Sequence, residues 1–222
     1  MIVAVGGIKG GTGKTTVATN LTCLAAADGR DVLLIDADDQ ESAYDFTLAR
    51  NHRTNGQAGY TCTKQTGAAV RTETLRFAVK YQDIIIDTGG RDTASQRAAI
   101  SVAQCLLIPL APRSLDIWTL EKVSGLIAEI RPYNPDLRAL AFLNRADPSG
   151  ADNADAAAEI QNAKGLEFLD TPLGNRKVFG NAAAEGLAVF EFKPPNAKAA
   201  AEVFTLFQHV FNVNPTLKYQ AR

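Results

Sequence analysis

Cysteine is scarce in this chain. Its three cysteines, Cys23, Cys62 and Cys105, show no metal-ligand spacing and leave one over from any pairing. That argues against a disulfide framework and fits a reducing compartment. Histidine is scarcer still: His52 and His209 have no carboxylate or cysteine at ligand spacing, so no histidine-based metal centre is expected. No apolar run approaches the ~20 residues of a membrane-spanning helix, and the longest candidate, Cys105 to Ala111, reads as a buried strand. Excess charge is lacking as well. With 23 Lys and Arg against 24 Asp and Glu, the net charge of −1 gives no global pull toward nucleic acid. Any DNA contact must come from a local patch or from dimerisation. Internal repeats, low-complexity tracts and dividing linkers are absent, so residues 1–222 are read as a single domain. The chain runs from Met1 almost directly into a glycine-rich segment, so no signal peptide is expected, and a cytoplasmic protein is.

What is present is an ordinary globular composition, 46% hydrophobic and 21% charged. A chain of this length buries about 70% of its unfolded surface, enough for a full α/β core. Short apolar runs alternate with longer helical patterns. The runs predict strands at Ile2–Val5, Asp31–Ile35, Tyr60–Thr63, Asp83–Ile86, Cys105–Pro109, Leu137–Leu143 and Leu166–Leu169. Several are continuous Val/Ile/Leu runs, as in parallel strands covered on both faces. Helices are predicted at Lys14–Asp28, Glu41–Asn51, Gly67–Lys80, Ala94–Ala103, Leu115–Arg131 and Asp152–Lys164, with Gly29 a C-cap and Pro132 a stop. His52 to Gly59 reads as an exposed loop. The alternation predicts an α/β fold, a doubly wound, mostly parallel sheet with helices on both faces.

The most informative stretch is Gly7-Ile8-Lys9-Gly10-Gly11-Thr12-Gly13-Lys14-Thr15-Thr16, set between the first strand and the first helix. Strand, glycine-rich loop and helix is the layout of a phosphate-binding loop. The glycines let backbone N–H groups converge on phosphate, and the helix N-terminus adds partial positive charge. Gly10, Gly11, Thr12, Gly13, Lys14, Thr15 and Thr16 are the candidate nucleotide contacts; Lys14 is placed to reach the terminal phosphates and Thr15 to ligate Mg²⁺. Ile8 replaces the usual first glycine, and Lys9 adds a second lysine.

Lys9-Gly-Gly-Thr-Gly-Lys-Thr resembles the deviant Walker A motif of the ParA/MinD family of ATPases. The resemblance implies a P-loop ATPase that binds ATP and Mg²⁺ between the two subunits of a homodimer. It implies that Lys9 reaches the partner subunit's phosphates and that hydrolysis is slow and stimulated by dimerisation and by a partner. Asp38, in Asp36-Ala-Asp-Asp-Gln40, takes the position that orients the attacking water, and Asp36, deeper, would support Mg²⁺ or the loop. A solvated acidic turn capping the next helix is the plainer alternative. Asp39 stands where family members usually have proline. Asp83-Ile-Ile-Ile-Asp87 resembles a Walker B strand whose Asp87 would hold Mg²⁺ through water, and Thr88-Gly89-Gly90 the switch that senses the γ-phosphate. Asn144 and Arg145 fall where the family contacts adenine, although Asn144-x-x-Asp147 also resembles a guanine-reading motif, and Asp147-Pro148 could begin a turn.

Arg176 and Lys177, with Lys193, Lys198 and Lys218, form a diffuse basic set that could contact DNA phosphates without reading sequence; a merely solvated surface is the alternative. Phe204, Phe207 and Phe211 are expected to form a core-facing helical stripe, and Trp118 to be core. Across nearly the whole chain the resemblance is to small ParA-type ATPases. It implies plasmid or chromosome segregation with nonspecific DNA binding, nucleoid association of the ATP form and a centromere-binding ParB-like partner. A MinD-like membrane ATPase would need a basic amphipathic C-terminal helix, which the proline-broken stretch after Phe211 does not supply, so no membrane partner is expected. A DNA-transfer accessory ATPase is a further relative with the same motifs.

Overall fold

The computed structural model describes residues 1–112, 117–147, 151–213 and 215. The predicted helix start at Leu115, the turn at Pro148 and the basic residue Lys218 lie outside the described residues. The strands are β1 (Ile2–Val5), β2 (Val32–Ala37), β3 (Thr61–Lys64), β4 (Asp83–Thr88), β5 (Cys105–Leu110), β6 (Arg138–Ala146), β7 (Glu167–Phe168) and β8 (Leu173–Gly174). The helices are α1 (Lys14–Ala27), α2 (Ser42–Arg53), α3 (Ala69–Phe77), α4 (Ala94–Ile100), α5 (Ile117–Ile130), α6 (Ala151–Asn162), α7 (Lys177–Ala184) and α8 (Ala197–Phe211).

The sheet runs in the order β3-β2-β4-β1-β5-β6-β7, with β8 also pairing with β6, and every pairing is parallel. Alternate residues of each central strand enter opposite layers. Ala4, Ile84, Ile86, Leu106 and Ile108 pack with Val70, Ile100, Val123, Ile127 and Ile160 of α3 to α6. Val3, Val5, Leu34, Ile85, Leu107 and Phe142 pack with Val17, Leu21 and Leu24 of α1 and with Val203, Leu206 and Phe207 of α8. Burial on both faces is why these strands are continuous apolar runs. Gly29, left-handed at φ 81°, sits just past α1 as expected, its N–H donating to the Ala26 carbonyl.

Differences from the expected elements sit where local pattern competes with tertiary contact. His52 and Arg53 complete α2, and Ala58 is buried, so the loop expected at His52 to Gly59 is partly helix and partly packed. Arg50 of α2 explains the packing. Its guanidinium donates to the Ala58 carbonyl at 2.8 Å, the Gly186 carbonyl at 3.2 Å and both Glu191 carboxylate oxygens at 2.7 Å. The short β8 was not foreseen, because two residues carry no periodicity. The expected aromatic stripe is present: Phe207 and Phe211 are buried and stacked with centroids 4.5 Å apart, and Phe204 meets Phe190 edge to face.

Phe207 has no exposed surface. Phe207→Ala is expected to destabilise the protein by about 3–5 kcal/mol through lost burial plus a residual cavity, read as a lower denaturant midpoint at unchanged slope.

Candidate functional site

Parallel topology collects the carboxyl ends of β1, β2, β4 and β6 along one edge of the sheet, and the residues singled out by sequence gather there. The loop after β1 feeds α1, whose first turn has no acidic residue and no side-chain cap. Its N–H groups and positive dipole end are therefore uncompensated within the helix, the condition for holding an anion. Gly13 is left-handed at φ 87°, and a Cβ there would stand 2.4 Å from the Asn144 amide nitrogen. Glycine is required on both counts. Gly10, Gly11, Gly13, Lys14 and Thr15 line a cleft of about 600 Å³ together with Asp38, Asp39, Gly89, Gly90, Arg91 and Arg145. Thr12 is buried and Thr16 lies in the first turn of α1; neither lines that cleft.

Lys14 is buried, and its ammonium donates to the Lys9 carbonyl at 2.9 Å, closing the loop on itself. Burial lowers its pKa, while the carboxylates of Asp87 and Asp38 pull the other way. Asp87, next to last in β4, is fully buried; neither of its carboxylate oxygens has a hydrogen bond of ordinary geometry, although the Thr15 hydroxyl lies near enough to act on it. Burial pushes it up to about 7, opposed by the neighbouring Thr15 hydroxyl and reinforced by the Asp36 carboxylate, its register partner on β2. A buried carboxylate with both oxygens orphaned is costly unless a cation completes it. Thr15 and Asp87 thus fit Mg²⁺, which keeps several waters and takes phosphate oxygens instead of needing an all-protein cage.

Asp36 does a different job from direct ligation. One carboxylate oxygen accepts from the Asp38 N–H at 3.1 Å and the other from the Tyr44 N–H at 2.8 Å. It caps the start of α2 and shapes the turn that presents Asp38. The Asp38 carboxylate lies against Gly89 and borders the cleft. Asn144 also has engaged polar atoms. Its amide donates to the Thr12 carbonyl at 2.7 Å, and its oxygen accepts from the Arg145 N–H at 3.0 Å. Asn144 latches the phosphate loop to β6 in this structure, whereas Arg145, left-handed at φ 57°, borders the cleft.

Lys9 does not line the phosphate cleft. It borders a second opening of about 630 Å³ beside it, with Arg91, Arg97, Trp118, Lys122 and Leu126. Trp118, expected in the core, is 75% exposed on that wall. The apolar pattern of α5 is filled instead by Leu120, Val123, Leu126, Ile127 and Ile130, and Trp118 falls off that face. Of the basic set, Arg176 is half-buried and paired with Glu202 at 2.7 Å, so its charge is already met. Lys177, Lys193 and Lys198 are exposed. Burial pushes Cys23 and Cys105 up to about 12 and Cys62 up to about 11, which leaves no ready thiolate for metal or redox chemistry.

Sequence reasoning missed Arg91, which borders both openings, and Gln96, buried behind the switch. Arg91 had a readable signal, a cation directly after the paired glycines; Gln96 had none beyond its place three residues after Thr93. Folded Asp87 titrates near 7 and unfolded Asp87 near its ordinary 3.8, so the native state holds the extra proton between these values. Stability of the nucleotide-free protein should therefore fall as pH rises from about 4 to 7. Asp87→Asn is expected to raise its melting temperature at pH 8, by about 2–4 °C for each kcal/mol recovered, with the difference shrinking by pH 5. Thermal scans at the two pH values check this.

The comparisons with known proteins agree with this geometry. Residues 3–189 match the family described as the CobQ/CobB/MinD/ParA nucleotide binding domain. The chain is similar to maintenance of carboxysome distribution protein A of Halothiobacillus neapolitanus, 29% identical over 210 residues, 94% of this chain and 95% of that protein. It is also similar to the protein of the same name from Gloeobacter kilaueensis, 32% identical over 200 residues, 90% of this chain and 88% of that one. Among solved structures, an ATP complex of a Cyanothece McdA variant superposes with a TM-score of 0.78 at 17% identity, covering 98% of each chain. With its phosphate loop, parallel sheet and strand-end carboxylates in place, the chain belongs to the ParA/MinD group of that nucleotide-binding family.

Proposed function

We propose that this protein is a ParA-type positioning ATPase. It would bind ATP with Mg²⁺, dimerise around the nucleotide, bind DNA nonspecifically and hydrolyse ATP slowly until a partner stimulates it. The observation that carries this reading is the division of labour between two lysines. Lys14 folds into its own loop, whereas Lys9, in the same loop, borders the neighbouring opening and not the phosphate cleft. This reading assigns the lysine that borders that second opening to the phosphates of a second subunit.

In this reading the N–H groups at the start of α1 and the Lys14 ammonium hold the phosphates in cis. Thr15 and Asp87 would hold Mg²⁺, which would supply neutralisation of phosphate charge. Asp38 orients the water, held in place by the Asp36-supported turn. Arg145 lies on the rim as a candidate nucleotide contact, with Asn144 behind it tying down the loop. Phosphoryl transfer depends on positioning and charge stabilisation, so supplying Lys9 from the partner couples assembly to hydrolysis.

Lys177, Lys193 and Lys198 are the exposed cations proposed to meet DNA backbone, doubled in number by dimerisation. Arg176 would act there through its pair with Glu202, by fixing the start of α7. A ParB-like adaptor would stimulate hydrolysis and link the engine to a plasmid or chromosome. The two relatives matched over about nine-tenths of the chain are named for carboxysome distribution. They favour a second choice of cargo, a protein-bounded body moved by the same engine.

Lys9→Ala is expected to reduce ATP turnover by about 10²–10³-fold, the scale of losing one charge-stabilising group, while ATP affinity falls far less. Undiminished turnover would remove the trans-lysine mechanism. Binding to nonspecific duplex DNA is expected with ATP and not with ADP, and to weaken steeply with salt. A titration with ATP, ADP, GTP and no nucleotide across a salt series checks this and identifies the preferred base.

A further inference from the structure

Gln96 is wholly buried in the first turn of α4, directly behind the switch segment. Its position three residues after Thr93 reads as half of a capping box, in which the glutamine side chain would reach back to the cap. Only half of that pattern is used. The Thr93 hydroxyl accepts from the Gln96 backbone N–H at 3.1 Å, while the side chain turns elsewhere. With the amide oriented by its surroundings, the nitrogen lies within hydrogen-bond reach of the carbonyls of Arg91 at 3.0 Å, Gly89 at 3.1 Å and Gly7 at 3.2 Å. Gly7 begins the phosphate loop; Gly89 and Arg91 flank the switch glycine Gly90. The opposite orientation would set an amide oxygen against three carbonyl oxygens.

An amide nitrogen has two hydrogens, and here three carbonyls compete for them. One carbonyl can leave without orphaning a buried donor, so the switch can shift at low cost while the others stay held. Closeness strengthens the connection, because a Cβ on Gly90 would stand 2.6 Å from Gly10 Cα; the switch cannot move far without the loop feeling it. Arg91, whose carbonyl Gln96 holds, borders both the phosphate cleft and the opening beside Lys9.

We infer that Gln96 is a positioning residue that exchanges its two hydrogen bonds among the Gly7, Gly89 and Arg91 carbonyls, and so couples the state of the phosphate loop to the switch. The inference rests on the ATPase reading above. Gln96→Met keeps the volume and removes the donor. Gln96→Glu keeps the shape and presents an acceptor to three carbonyls.

Turnover, KM and ADP affinity would be measured for both variants beside the unaltered protein, with hydrogen exchange over residues 6–8 and 89–93 in ADP and in a non-hydrolysable ATP analogue. The expected result is kcat lower by about tenfold or more, with KM and ADP affinity within about twofold, and Gln96→Glu worse than Gln96→Met. In the unaltered protein, exchange of the two segments should change together on replacing ADP by the analogue, and in Gln96→Met independently. Unchanged kcat in Gln96→Met, equal loss of kcat and ADP affinity, or segments that respond independently in the unaltered protein would each overturn the inference. Should a variant fail to fold, the exchange result on the unaltered protein still decides. Absence of turnover in the unaltered protein would instead count against the ATPase reading.

Discussion

The phosphate loop and the Gly89–Gly90 turn meet backbone to backbone, and the rest of the site is arranged around that contact. A side chain at Gly90 would stand 2.6 Å from Gly10 Cα and 2.8 Å from Gly10 N, so the two segments approach as closely as glycine allows. Two other strands tie down the loop and the strand that feeds it. The Thr88 hydroxyl at the end of β4 donates to the Val5 carbonyl at 3.0 Å, and Asn144 at the end of β6 donates to the Thr12 carbonyl at 2.7 Å. A loop gripped on both flanks is preorganised, so little ordering remains to be done when a phosphate arrives.

Charge is placed against the same frame. Both faces of the sheet are covered, so the ionisable groups of β2 and β4 sit at strand ends. Asp83, at the amino end of β4, is paired with Arg30, and Asp36 and Asp87 lie at the carboxyl edge. There Asp36 and Asp87 lie in register on adjacent strands with Lys14 close enough to feel Asp87. Asp36 spends its oxygens on backbone N–H groups, whereas Asp87 has none to spend them on. One carboxylate is tied into the backbone, and its neighbour is the one proposed to meet Mg²⁺. Identical side chains, one strand apart, acquire different roles from their hydrogen-bond partners alone.

Much of this was legible in the sequence because it is local. Continuous apolar runs marked β1, β2, β4 and β5, since both faces of each are buried, and the glycine-lysine spacing marked the phosphate loop because its function requires consecutive residues. What escaped depends on contacts distant along the chain. Asn144 meets Thr12 across 132 positions, and Arg176 meets Glu202 across 26, so neither latch nor pairing has a local signature. Trp118 lies at the edge of an apolar helical pattern, and its exposure depends on which face α5 turns to the sheet. Gln96 has no local signal beyond its place three residues after Thr93, and only the folded chain brings three carbonyls to its amide.

The central claim is that each nucleotide site is completed by Lys9 of the other subunit, and a mixing experiment tests it most directly. Lys9→Ala and Asp38→Ala proteins would be assayed for ATP turnover separately and as an equal mixture. In a mixed dimer the Lys9→Ala subunit keeps Asp38 and receives Lys9 from its partner, so one of its two sites is whole. Random pairing then predicts recovery to about a quarter of the unaltered rate, as expected for a two-fold symmetric pair. A mixture that remains as inactive as its components would contradict completion of the site in trans.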